Sequence, residues 1–222
     1  MKRGIMENIS IRNGTAAIEM NKVLKNTYLL LSATLVFSAF MAWTSVALGF
    51  PPMGIWMTLI GVYGLMFAVH KTADSALGLV FVFAFTGFLG FTLGPIVGHF
   101  AATAPQTLMT ALGGTGLIFF ALSGYVLVTR KDMSFMGGML TAGAVVLLVL
   151  MLASFFIQVP AMQLALSALF MLFSSGMILY QTSEIIHGGE TNYIRATVTL
   201  FVSLYNIFLS LLRLLSVFSG DD

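Results

Sequence analysis

Seven long apolar runs dominate the chain, and shorter stretches richer in polar residues separate them. Each run has the length of roughly 17–25 residues that a helix needs to cross the hydrocarbon core of a bilayer. None alternates strictly between apolar and polar positions, as the strands of a membrane barrel do. The pattern therefore predicts seven transmembrane helices, over Tyr28–Gly49, Met53–His70, Ala76–Val97, Thr107–Val128, Phe135–Phe156, Pro160–Gln181 and Ile194–Val217.

The boundary between the fifth and sixth helices has the weakest signal. Only Gln158 and Pro160 interrupt the apolar sequence there, in FFIQVPAMQ. Proline suits the first turn of a helix, because the N–H that it lacks would have no partner in that turn. We therefore expect two helices. A single fused helix would instead move Arg195 to the outer side of the membrane and the C-terminal tail to the inner side.

Nearly all positive charges fall on one side of this arrangement. They lie in the tail before Tyr28 and in the loops after the second, fourth and sixth helices, whereas the loops GFPPMG, GHFAATAPQ and IQVP carry none. By the positive-inside rule, residues 1–27 form a cytoplasmic tail, residues 28–217 the membrane domain and residues 218–222 a short tail outside. Arg213 is the exception, and its long side chain can reach the membrane interface.

The composition supports a membrane protein and narrows the chemistry. The chain of 222 residues is 59% hydrophobic and 8% charged, and soluble domains have roughly 25% charged residues. It has no cysteine, which excludes disulfides and Cys-ligated metals. The fold class is thus an all-α integral membrane protein, and we expect neither a metal site nor a cofactor, and no nucleic-acid partner.

An enzymatic function is disfavoured by the residues available. The three histidines are far apart in sequence, and no His-Glu-x-x-His motif is present. Ser123 and Ser175 have no histidine or acid nearby in the sequence that would make either a nucleophile. An aspartyl protease in the membrane would need paired aspartates within the helices, and every aspartate here lies in a loop or tail. We therefore assign no catalytic residue.

Glycines in the third helix predict close helix packing. Gly87, Gly90 and Gly94 are followed by Pro95, in the sequence GFLGFTLGP. Small residues let the backbones of membrane helices approach one another, and proline removes a backbone hydrogen bond. We interpret these four residues as a packing surface with a loosened helix end.

Polar residues of the last two helices form candidate facing stripes. On helix seven, steps of three and four residues place one set on a single face: Thr199, Ser203, Asn206, Ser210 and Arg213. Helix six offers a facing set: Ser167, Ser174, Gln181 and Glu184. The hydroxyls are explained equally well by ordinary bonds between helices. The candidate functional site is therefore a helix 6–7 polar seam of Gln181, Glu184, Ser203 and Asn206.

The connection between these helices, IIHGGETNYIR, predicts a turn with defined ends. Helix six is expected to continue to His187, with Gly188 as a left-handed C-cap. Either Thr191 or Asn192 can cap helix seven. His187 lies at a helix C-terminus, where a cation is favoured, and is a candidate pH-sensitive residue. A solvated histidine at the membrane interface is the commoner explanation.

Several motifs resemble the Bax inhibitor-1 family, and in particular its bacterial YccA branch. They are FAFTGFLGFTLGPIV, which is similar to the Gly-x-x-x-Gly-Pro signature of the third helix, VLKNTYLLLSATLVFSAF, YVLVTRKDMSFMGGML and IIHGGETNYIRATVTLFVSLYNIFLSLL. The resemblance extends from Val23 to Leu212 and is most specific from the sixth helix into the seventh. It implies a multi-pass protein of the bacterial inner membrane, with a cytoplasmic N-terminus, a periplasmic C-terminus and a central seventh helix enclosed by the other six.

Two functions are implied by the resemblance. The YccA branch is associated with the membrane-bound AAA protease FtsH as a modulator or inhibitor, which makes FtsH the expected partner besides the lipid bilayer. Other members act as pH-sensitive calcium leaks through an aspartate pair on helices six and seven. These aspartates fall on Gln181 and Ser203, which do not titrate, and Glu184 is the nearest acid. The alternative of a calcium or cation leak is therefore disfavoured, although Gln181 and Ser203 could still close the seam by a hydrogen bond.

Overall fold

The computed structural model of the chain describes residues 2–157 and 159–220, with side chains from residue 18 onward. The described residues form seven α-helices: α1 (Lys2–Ala47), α2 (Ile55–Thr72), α3 (Ala76–Thr103), α4 (Pro105–Thr129), α5 (Met136–Ser154), α6 (Pro160–His187) and α7 (Tyr193–Ser219). Each helix, or Ile18–Ala47 in the case of α1, is long and apolar enough to cross a membrane. The predicted all-α fold with seven transmembrane helices is confirmed.

The helix boundaries agree with the apolar runs except for the start of α1 and the ends of α3 and α6. Helices α5 and α6 are separate, and Pro160 is the first residue of α6; Gln158 lies outside the described residues. α6 continues to His187, as the glycine C-cap predicts. α1 begins as early as Lys2 and has 46 residues, or about 69 Å at 1.5 Å per residue. The polar tail thus continues the first helix, because no proline or glycine pair interrupts it.

Turns alternate between two ends of the bundle that differ in charge. One end, here called the charged end, holds the turns at residues 73–75, 130–135 and 188–192, with their Asp, Glu, Lys and Arg residues. The opposite, neutral end holds residues 48–54, 104, 155–157 and 159, which include no ionisable side chain. Arg213 is the only Lys or Arg of the described chain that lies towards the neutral end. Which end faces the cytoplasm remains the prediction made from the positive-inside rule.

Helix α7 lies at the centre of the bundle. Half of its apolar span is buried (50%), compared with 11% for α5. α7 contacts α1, α2, α3, α4 and α6, whereas α5 packs against α6 alone. The expectation that all six other helices enclose α7 is therefore wrong for α5. Only Thr141 and Ser154 are polar in α5, so this helix can expose most of its surface to lipid.

Glycine lets α1 and α3 approach each other closely. A Cβ atom at Gly90 would collide with the backbone carbonyl and the hydroxyl of Ser38. One at Gly94 would collide with Ser45 and lie 2.8 Å from the Ala42 carbonyl oxygen. Backbone atoms cannot move aside as the end of a flexible side chain can, so these two positions require glycine for the observed packing.

The other two residues of the glycine motif lie along the same helix. A Cβ atom at Gly87 would lie 2.6 Å from the ring of Phe37 on α1. Pro95 lies inside α3, which continues past it to Thr103. The loosening expected at Pro95 thus does not end the helix, which runs two further turns towards the neutral end.

The turn between α6 and α7 is held by two caps. Gly188 has φ 79° and its N–H donates to the Glu184 carbonyl. The Asn192 Oδ1 accepts hydrogen bonds from the backbone N–H of Ile194 at 2.9 Å and of Arg195 at 3.1 Å. Of the two candidate caps, Asn192 is therefore the one that caps α7.

Asn192 also ties this turn to the turn between α2 and α3. Its Nδ2 donates to the Ala73 carbonyl at 2.9 Å and to the Asp74 Oδ1 at 2.7 Å. A single side chain thus begins the central helix and fixes its position against a neighbouring turn.

We expect Gly90→Ala to lower the free energy of unfolding by about 1–3 kcal/mol, because the new methyl group meets the Ser38 backbone. Gly113→Ala in α4 is the matched control, since a Cβ there has nothing within 4 Å. It should leave stability unchanged or raise it by roughly 0.5–1 kcal/mol, because alanine favours a helix over glycine. Unfolding of both variants in detergent would be followed by circular dichroism. Equal stability of the two variants would contradict the packing described.

We expect Asn192→Ala to lower the free energy of unfolding by about 1–2 kcal/mol, through loss of the N-cap. Loss of the bonds to Ala73 and Asp74 adds to this effect. Thr191→Ala, one residue away at an exposed position, should change stability by less than about 0.5 kcal/mol. The same unfolding measurement compares the pair. A larger loss for Thr191→Ala would show that the cap is misassigned.

Candidate functional site

The centre of the predicted seam is buried and closed. Gln181 is 6% exposed and Ser203 is 3% exposed. The Ser203 hydroxyl donates to the Thr199 carbonyl of its own helix at 2.8 Å. The Gln181 Nε2 has no hydrogen-bond partner in the described part of the chain. The hydrogen bond expected between Gln181 and Ser203 is therefore not formed, and a buried amide donor is left unpaired at a cost of about 1–3 kcal/mol.

Hydroxyl groups beside Gln181 link α6 to α4 and α1. The Ser123 Oγ lies 3.4 Å from the Thr182 Oγ, and the Tyr28 hydroxyl bonds to the same Ser123. Thr182 is fully buried and Ser123 is 2% exposed. Sequence reasoning considered Ser123 only as a nucleophile and did not find this link. Its members come from three helices, and the helical period of each sequence segment does not show which faces meet.

Glu184 belongs to the turn at the charged end. Its carboxylate lies against Gly189. Its backbone carbonyl accepts the N–H of Gly189 at 2.8 Å and of Glu190 at 3.1 Å, besides that of the Gly188 cap. Glu184, which is the acid nearest to Gln181 in the sequence, therefore helps to cap the C-terminus of α6 through its backbone carbonyl.

His187 ties the end of α6 to the end of α4. Its Nδ1 lies 2.9 Å from the Ser183 carbonyl oxygen and its Nε2 lies 3.1 Å from the Arg130 carbonyl oxygen. Arg130 is the C-cap of α4, with φ 51°. A neutral imidazole has one N–H and can donate to only one of these two carbonyls at a time. A pH-sensitive role of His187 stays a prediction.

The loop that follows α4 has one perturbed acid. The backbone N–H of Ser134 donates to the Asp132 Oδ1 at 2.8 Å, and this bond lowers the pKa of Asp132 below its ordinary value of 3.8. Since the folded-state pKa is depressed, the bond stabilises the fold above the ordinary pKa and is lost as the pH falls through the folded value. The loop thus keeps this contact at neutral pH.

Asn206 lies apart from the other three seam residues. It lines a cavity of about 930 Å³ between α3, α5, α6 and α7, towards the neutral end. Ser210 and Arg213, one and two turns further along α7, line the same cavity. Arg213 donates through its Nη2 to the Gln163 Oε1 of α6. The predicted seam therefore divides into a closed centre at Gln181 and Ser203, a turn at Glu184 and His187, and an open cavity at Asn206.

Acidic groups are confined to the charged end of the described chain. Asp74, Asp132, Glu184 and Glu190 lie in or beside its turns, and Glu7 and Glu19 precede most of the apolar part of α1. Over residues 18–157 and 159–220, whose side chains are described, no group of three or more His, Asp or Glu residues is arranged to hold a metal ion. A divalent cation at the centre of the seam would therefore meet no carboxylate.

Comparison with known proteins identifies relatives over almost the whole length. The family model described as Bax1-I, Inhibitor of apoptosis-promoting Bax1, matches residues 20–220. The chain is 57% identical over 213 residues to "Modulator of FtsH protease YccA" of Escherichia coli K12, covering 96% of this chain and 97% of the relative. It is equally similar to "Inner membrane protein YccA" of Escherichia coli O6:H1. It is 42% identical to a membrane protein of Vibrio cholerae, over 92% and 93% of the two chains.

The residues matched by the family model cover nearly the whole helical bundle. The matched residues include all of α2 to α7 and the apolar part of α1. The relatives' names describe membrane proteins and a modulator, without an enzymatic activity. The motifs that resembled the family in the sequence lie on α1, on the close-packed face of α3, in the loop after α4 and on the central helix α7. The chain therefore belongs to the Bax inhibitor-1 family.

Proposed function

We propose that this protein is a regulator in the bacterial inner membrane that binds the membrane-bound protease FtsH and limits its proteolysis. The observation that carries the proposal is the 57% identity, over 96% of this chain, to a protein named as a modulator of FtsH. Because the similarity spans the full bundle, a contact surface shared with that relative can lie on any of its helices and turns. The N-terminus is proposed to be cytoplasmic and the C-terminus periplasmic.

The charged end of the bundle is the proposed contact surface. It combines the basic segment before Tyr28, in which Lys22 and Lys25 are exposed, with Lys131 of the turn after α4 and Arg195 of the first helical turn of α7. Charged groups there remain in water and can be recognised by a partner without leaving a bilayer. Few residues in the apolar spans of α2 and α5 are buried within this chain, 6% and 11% respectively. These two helices are therefore available to transmembrane segments of a partner or to lipid alike.

A calcium leak remains the disfavoured alternative. Gating by protonation needs a pair of carboxylates whose pKa values are raised by burial and by each other's charge. Gln181 and Ser203 stand at the positions that the family resemblance assigns to this pair, and neither titrates. Among the described residues that line the cavity on the neutral side, only Arg213 is charged, and it repels a cation that enters from that side.

Crosslinking in native membranes tests the regulator directly. A photoreactive amino acid would replace Ile18, which is 69% exposed at the start of the apolar part of α1. A matched variant would carry it at Phe50, which is 40% exposed on the neutral side. We expect a covalent adduct with FtsH from position 18, identified by mass spectrometry, and little from position 50. The half-life of a membrane protein degraded by FtsH should increase when the chain is overproduced.

Two outcomes would count against the proposal in different ways. No adduct from either position, together with an unchanged half-life of the FtsH substrate, would contradict binding and regulation. An adduct only from position 50 would show that FtsH is a partner but that it does not bind at the charged end.

A further inference from the structure

The cavity on the neutral side is a candidate ligand site that the proposed function does not use. Its volume of about 930 Å³ lies within the range of roughly 300–1,000 Å³ that is common for small-molecule sites. Residues from four helices line it. The polar side chains among them are Ser154, Gln163, Ser167, Asn206, Ser210, Arg213 and Ser216.

Arg213 gives this cavity a positive charge that the described lining residues do not neutralise. No Asp or Glu is among the lining residues. The guanidinium donates to the neutral amide oxygen of Gln163 and is otherwise exposed. Since a guanidinium carries five N–H donors, most of them remain for a ligand. An ionised side chain within a membrane helix is costly and is by default a functional candidate.

Arg213 lies about the thickness of a hydrocarbon core away from the start of α7. α7 begins at Tyr193, so Arg213 lies about 30 Å along the helix at 1.5 Å per residue. This distance equals the thickness of a typical hydrocarbon core, roughly 30 Å. The first turn of α6, at Pro160, also lines the cavity and has no side-chain cap, so its helix dipole adds partial positive charge to that of Arg213.

We propose that this cavity binds a phosphate group, with Arg213 as its principal ligand. The planar fork of a guanidinium matches two oxygens of a phosphate, and the Asn206 amide and the Ser210 hydroxyl, which line the same cavity, can donate further hydrogen bonds. A cation is disfavoured by the charge of Arg213, and a fully apolar ligand would leave most of the N–H donors of Arg213 without a partner. The phosphate can belong to the headgroup of an anionic lipid or to free inorganic phosphate, because both present the same oxygens.

Binding to the purified, lipid-depleted full chain separates these two sources. Native mass spectrometry would compare dioleoylphosphatidylglycerol with dioleoylglycerol, which has the same acyl chains and no phosphate. Thermal unfolding would be measured with and without inorganic phosphate. Preferential retention of the phospholipid identifies a lipid headgroup as the ligand, and stabilisation by phosphate alone identifies the free anion. If the wild-type chain shows neither effect, the proposal is wrong.

Two variants test the role of Arg213, and a third is the control. Arg213→Gln removes the charge. Gln163→Glu keeps Arg213 but places a carboxylate at the position that accepts its hydrogen bond, so the carboxylate competes with a phosphate for the guanidinium. This variant gives a result even if Arg213→Gln does not fold. Each should weaken phosphate or phospholipid binding about tenfold or more, the usual loss for a hydrogen bond to a charged group. Arg195→Gln, at the charged end beside Glu190, should bind as the wild type does. Unchanged binding in both cavity variants would overturn the proposal, which does not depend on FtsH.

Discussion

Shielding of the polar face of α7 from lipid is the constraint on which the rest of this structure depends. Hydroxyl and amide side chains exposed to hydrocarbon lose their hydrogen bonds with water and gain none. Ser203, Ser210 and Ser216 are each at most 5% exposed, because five other helices surround α7. That arrangement requires α1 and α3 to pack closely, and glycine at positions 90 and 94 allows this packing. It also leaves α5 with lipid on most sides.

The enclosure has a functional consequence, because it leaves the middle of the bundle closed and uncharged. Gln181 and Ser203 are buried there without a carboxylate, while polar groups that reach solvent lie at the charged end and in the cavity of Asn206 and Arg213. Such a molecule offers surfaces for binding at both ends, and no Asp, Glu, Lys, Arg or His of the described residues lies in the middle of the bundle between them. This distribution suits a membrane protein that acts through contacts with a partner.

Bilayer thickness explains why the seven spans and the helix class could be predicted from the sequence. The sequence predicted Gly188 as the C-cap of α6, because glycine readily adopts the left-handed conformation. It left Thr191 and Asn192 as candidate N-caps of α7, because both side chains can accept a backbone N–H. The choice of Asn192 depends on Ala73 and Asp74, which are distant in sequence. Helical periodicity placed Gln181, Ser203 and Asn206 on facing surfaces, but it does not specify depth or neighbours. It therefore could not show that Asn206 opens into a cavity, that Gln163 meets Arg213, or that α5 stands outside.

The central claim is that the polar seam is closed between Ser203 and Asn206, and thiol accessibility tests it most directly. The chain has no cysteine, so Ser203→Cys and Asn206→Cys each introduce a single thiol, about 4.5 Å apart along α7. Purified in nanodiscs, both would be exposed to a small, charged thiol reagent from the two sides of the bilayer. If the seam is closed, the thiol at position 206 is labelled rapidly and the thiol at position 203 is not labelled while the protein is folded. Labelling of both thiols at similar rates would show a continuous aqueous path, and the seam would then be open.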